Sequence, residues 1–80
     1  MRPDRDMLDK LKEADLAGRV AYARYLCETI LAQSPDHGPT LVRYASNLIA
    51  LAQYELASQA LDHAHSVVAT EHIHHVLAQR

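Results

Sequence analysis

"RYASNLIALAQYELASQALDHA", Arg43 to Ala64, decides the fold. Its apolar side chains recur at three- and four-residue spacings, so it reads as one helical hairpin. Alanine stands at Ala45, Ala57 and Ala64, among the bulkier Tyr44, Leu48, Tyr54 and Leu61. An alanine has no side-chain entropy to lose in a helix, but it also buries little area. Small residues on an inward face therefore mark the close approach of two helix backbones. The question this stretch raises is which helices approach, and what surface they present.

A chain of 80 residues makes one domain and buries only about 60 to 65% of its unfolded surface, so its stability depends on good packing. The usual reinforcements are missing. Cys27 is the single cysteine; it forms no internal disulfide, and the chain has no zinc-finger spacing. Set among apolar residues, Cys27 reads as a small core filler in a reducing compartment. No apolar run approaches the roughly 18 residues that span a bilayer, and "MRPDRDMLDK" has no signal-peptide core. A soluble, cytoplasmic protein with no membrane partner is expected. Acidic and basic residues are interspersed around a net charge of −2, which leaves no basic face to track phosphates and argues against nucleic acid. Scarce glycine and proline, no phenylalanine or tryptophan, and abundant alanine and leucine favour an all-α fold.

The breakers divide the chain into five expected helices joined by short turns, hence antiparallel neighbours. The first runs from Arg5 to Leu16 with Met7, Leu8, Leu11 and Ala14 on one face and Asp4 as its N-cap. After Gly18 the second runs from Arg19 to Gln33, carrying Val20, Ala23, Cys27, Ile30 and Leu31. "SPDHGP", Ser34 to Pro39, is the strongest stop signal, and Pro39 suits the first turn of a third helix reaching Leu51. A fourth is expected from Tyr54 to about Val68. Thr70 is the expected cap of a fifth, Glu71 to Gln79, with Ile73, Val76 and Leu77 on one face.

Shifting the sequence by 34 residues aligns Val20 with Tyr54, Ala23 with Ala57, Cys27 with Leu61 and Ile30 with Ala64, each pair expected at the same inward position of the second helix of a hairpin. In the preceding helices Met7 aligns with Leu41, Leu11 with Ala45 and Ala14 with Leu48. A helix-turn-helix unit of this length, repeated, is a solenoid signature. From Gly38 to Glu71 the order bulky, bulky, small, bulky, small, bulky, small, carried by Leu41, Tyr44, Ala45, Leu48, Ala57, Leu61 and Ala64, resembles a tetratricopeptide repeat. The resemblance implies antiparallel hairpins stacked as a short right-handed superhelix. Repeat one would run over about 4–37, repeat two over about 38–71, and a capping or truncated-repeat helix over 71–80. Its small positions are where helices come closest, which answers the opening question. The first repeat departs from the pattern, with Lys10 at a usually bulky position and Leu11 at a usually small one. A generic two-hairpin bundle is the plainer alternative.

Histidine is in excess towards the C-terminus, with His63, His65, His72, His74 and His75. His72 and His75 have the spacing that brings imidazoles to one helix face, and Glu71 adds an oxygen, so these three are the candidate metal ligands. The same cluster is a candidate pH sensor; the plainer reading is a solvated surface. No enzyme constellation emerges. Ser34, Ser46, Ser58 and Ser66 lack a glycine-flanked elbow, Cys27 is expected to face inward, and no glycine loop cradles phosphate. No cofactor is implied.

The resemblance implies instead a concave groove lined by the first helix of each hairpin. Its exposed positions would be Pro39, Val42, Arg43, Ser46, Asn47 and Ala50, with Arg5, Leu8, Asp9 and Lys12 from the first repeat. Arg43 and Asn47 are the expected polar anchors for an extended or helical peptide. The carboxylate clamp of some family members is not matched, since Ser46 and Leu8 occupy those places. The expected function is a non-catalytic scaffold or chaperone-like module with a protein or peptide partner. Alternatives are a metal- or pH-responsive protein and the N-terminal part of a larger enzyme. An open C-terminal repeat end would further invite homo-oligomers.

Overall fold

Alanine- and leucine-rich segments broken at glycine and proline form an all-α structure. The computed structural model describes the backbone of residues 5–78 and the side chains of residues 5–70. Among the described residues there are four helices, α1 (Arg5–Leu16), α2 (Val20–Gln33), α3 (Gly38–Ala50) and α4 (Tyr54–Ala78). Each packs on the one before it in the chain, giving two helical hairpins side by side.

The hairpin turns repeat bond for bond. After α1, Gly18 N–H donates to Asp15 C=O at 3.2 Å and Arg19 N–H to Ala14 C=O at 2.9 Å. After α3, Ala52 N–H donates to Ile49 C=O at 3.0 Å and Gln53 N–H to Leu48 C=O at 2.8 Å. Both are Schellman closures, in which a left-handed residue lets two amides satisfy carbonyls at the helix end. The left-handed residue is Gly18 in the first turn and Ala52 in the second. The expectation of a break before Tyr54 holds although no glycine is present there. Between the hairpins Pro39 lies in the first turn of α3, where its missing N–H costs nothing.

Leu11, Ala14, Ala23, Leu26, Cys27 and Ile30 form the core between α1 and α2, with Met7, Leu8 and Tyr44 packed against it. Leu41, Ala45 and Leu48 continue burial on α3. Fully burying a side chain the size of Leu11, Ile30 or Leu48 contributes about 1.5 to 3 kcal/mol each. Among the described residues of α4 the buried side chains, by contrast, are Ala57, Ala60 and Ala64. As the small-residue pattern predicts, alanine lets α4 approach α3 closely, but each methyl contributes little area.

Three expectations are corrected. Tyr54 and Leu61, read as inward bulky positions, are exposed (65% and 39%). Among the described residues α4 packs on α3 alone, whereas α2 lies between α1 and α3. The break at Thr70 and the separate helix over 71–80 are also absent, because α4 continues to Ala78. The Thr70 hydroxyl donates back to Ser66 C=O at 2.9 Å, one helical turn earlier, so it sits inside a helix and does not start one. The expected Asp4 cap lies outside the described residues.

Candidate partner-binding groove

Side chains of α1 and α3 face one another across a shallow groove. Leu8, Asp9, Leu11 and Lys12 from α1 line one depression with His37, Pro39, Thr40 and Arg43. Asp15 and Val20 line a second with Val42, Arg43, Ser46, Asn47 and Ala50 of α3. Arg43 belongs to both and is the point at which they meet. Helical spacing explains the sharing, since Val42, Arg43, Ser46 and Ala50 recur within one stripe of α3.

Arg43 is held from below. Its Nη1 donates to Asp15 Oδ2 at 2.8 Å, with both side chains half-buried. This charge-assisted bond ties the C-terminal end of α1 to α3. Basic Lys12 and Arg43 thus alternate with acidic Asp9 and Asp15 over an apolar floor of Leu8, Val20, Val42 and Ala50. Such a surface offers a partner both a carboxylate anchor and apolar contact.

The expected anchor Asn47 is corrected. It is buried, and its Nδ2 donates to the Cys27 sulfur at 3.7 Å. The side chain bridges α3 to α2, and Asn47 lines the second depression as a buried residue. Burial, reinforced by the Asp15 charge, pushes the Cys27 thiol up to about 12 from 9.0, while the Asn47 bond works in the opposite direction. Cys27 is therefore a protonated core residue and a poor nucleophile. Tyr44 donates to Glu28 Oε2 at 3.3 Å. Its phenol is pushed up by burial first and then by the Glu28 charge.

Of the residues expected in the groove, the structure brings together Leu8, Asp9, Lys12, Pro39, Val42, Arg43, Ser46, Ala50 and the buried Asn47. Arg5 is exposed but lines neither depression. Asp15, with Val20, Leu11, His37 and Thr40, lines the depressions although the sequence reading did not place it there. The signal was present, because Leu8, Lys12 and Asp15 follow four- and three-residue steps along one face of α1.

Among the described residues no group of three His, Cys, Asp or Glu side chains could hold a metal ion. The candidate ligands Glu71, His72 and His75 lie outside the described side chains. His63 Nε2 meets Asp36 Oδ1 at 2.8 Å, a contact between α4 and the turn before α3. Among the described residues no helix is long and apolar enough to cross a membrane.

With this geometry in view, comparison with protein families matches residues 16–79 to a model described as a tetratricopeptide repeat. The matched span takes in α2, α3 and α4. Neither the curated proteins nor the solved structures compared gave a match.

Proposed function

Because the chain belongs to the tetratricopeptide repeat family, we propose that it is a non-catalytic interaction module which receives a segment of a protein or peptide partner in the groove between α1 and α3. Its repeat units are residues 4–37 and 38–71. The observation that carries the reading is Arg43, half-buried, clamped by Asp15 and shared by the two depressions that make up the groove. A preoriented guanidinium costs a partner less ordering entropy than a free one.

The chemistry favours a ligand that sets a carboxylate or carbonyl on Arg43 and Lys12 and an apolar side chain on Val42, Val20 and Ala50. Scaffold or chaperone-like work follows from holding such a segment without changing it. The buried thiol of Cys27 suits a reducing compartment, so the cytoplasm is its proposed location.

The test is selection of binding peptides from a displayed random library, followed by mapping on the labelled 80-residue chain by amide chemical shifts. Perturbations centred on residues 8–15 and 39–50 are expected, with at least tenfold weaker binding for Arg43→Ala and for Val42→Glu. Peptides that map elsewhere and keep their affinity for both variants would overturn the groove assignment.

A further inference from the structure

The two hairpins repeat in sequence, but their outer faces are not covered alike. A shift of 34 residues carries Leu8, Cys27, Ile30, Leu31 and Ser34 onto Val42, Leu61, Ala64, His65 and Val68. In the first set Cys27, Ile30 and Ser34 are buried, with α3 packed on α2 and Asn47 reaching the Cys27 sulfur. In the second set Val42, Leu61 and Val68 are 53%, 39% and 59% exposed. Together with Ala64 and His65 they line one apolar depression between α3 and α4.

Helix α4 buries alanines against α3 and leaves Tyr54, Leu56, Leu61 and Val68 exposed. A helix that is apolar beyond the side it packs is the pattern of one with a second neighbour.

We propose that this face is where two copies of the chain pair, with α4 lying antiparallel against α4 of the second copy about a twofold axis. The internal repeat shows what kind of object fits the slot. Its equivalent over α2 holds a helix, α3, joined to α2 by a short turn and packed along it.

Charge then chooses among the helices a second copy can offer. Two α3 residues that reach α2 are Tyr44, bonded to Glu28, and Asn47, bonded to Cys27. Their counterparts in α1 are Lys10 and Glu13, both charged and exposed. Stacking the second copy head-to-tail through α1 would, in the same register, bring Lys10 to Asp62 but set the Glu13 carboxylate on Leu61, at a desolvation cost that this register does not offset. Helices α2 and α3 are each flanked on two sides already.

Helix α4 has the matching surface and the reach. It is 25 residues long against 13 for α3, so its C-terminal half runs past the helix it packs on. Antiparallel pairing centred on Ala64 and His65 sets Leu61 of one copy opposite Val68 of the second copy and the reverse. The same patch is used twice, so assembly closes at two.

This inference shares Val42 with the peptide groove, so its test uses Leu61 and Val68, which line neither depression of that groove. Sedimentation equilibrium of the 80-residue chain, from micromolar to near-millimolar concentration, tests it. The expected result is a mass rising on concentration to twice 8.9 kDa and no further. Val68→Glu and Leu61→Glu should each weaken pairing at least tenfold. Both sites are exposed in a single copy, so circular dichroism at matched monomer concentration should show helix content retained. Three results would overturn the proposal: a monomer at every concentration, a dimer indifferent to both glutamates, or a mass that keeps growing with concentration, as head-to-tail stacking requires.

Discussion

Ala52 stands 34 residues beyond Gly18 and holds the same left-handed backbone, with φ of 60° against 73°. The two residues close equivalent turns with equivalent hydrogen bonds, but only glycine adopts this conformation without a Cβ penalty. No atom lies within 4 Å of a Cβ built on Gly18, so an alanine there meets only backbone strain. Gly18→Ala should therefore destabilise by about 1 to 2 kcal/mol. Ala52→Gly should stabilise by about 0.5 to 1 kcal/mol, the relieved strain exceeding the extra unfolded-state entropy. Urea denaturation of the two variants checks both signs, and a loss of stability in Ala52→Gly would contradict the account.

The Arg43–Asp15 pair joins α1 to α3. Both side chains keep some contact with water, so screening limits the coupling to roughly 0.5 to 1 kcal/mol in a double-mutant cycle. Salt at about 1 M should remove most of that coupling. Coupling of about zero at low salt would mean that the bond positions nothing.

For Cys27 the folded-state pKa is raised to about 12 from 9.0. Above pH 9 the unfolded chain loses this proton while the folded chain keeps it, so unfolding is favoured as pH rises. The stability tied to the neutral thiol is complete below about pH 9 and falls progressively towards pH 12. The melting temperature of the wild type should drop across that window more steeply than that of Cys27→Ala. At pH 8 a thiol reagent should label Cys27 only as fast as the structure opens.

Leu48 and Leu61 are both bulky positions of the repeat pattern, yet Leu48 is fully buried and Leu61 is exposed. Leu48→Ala should cost about 2 to 5 kcal/mol, enough to unfold a domain of this size. Leu61→Ala, measured at concentrations where single copies prevail, should cost less than about 1 kcal/mol. Equal losses would show that Leu61 belongs to the core of a single copy.

Much of this was legible in the amino acids. The bounds of α1, the stop at "SPDHGP" and the 34-residue repeat follow from local periodicity and from the few glycines and prolines, because helix formation is a local property of the chain. The inward alanines were legible for the same reason, since a small side chain has meaning only where backbones meet. The fate of Asn47, Asp15, Leu61 and Thr70 was decided elsewhere. Asn47 is buried because α2 carries a cysteine sulfur within its reach. Asp15 enters the groove because α3 brings Arg43 to it. Leu61 is exposed because, among the described residues, α4 has one neighbour where α2 has two. Thr70 stays inside α4 because its hydroxyl bonds back to Ser66. Sequence periodicity marks the apolar side of a helix, but it does not count the helices that will lie against that side. That number is set by how many elements stack, and only the tertiary structure decides it.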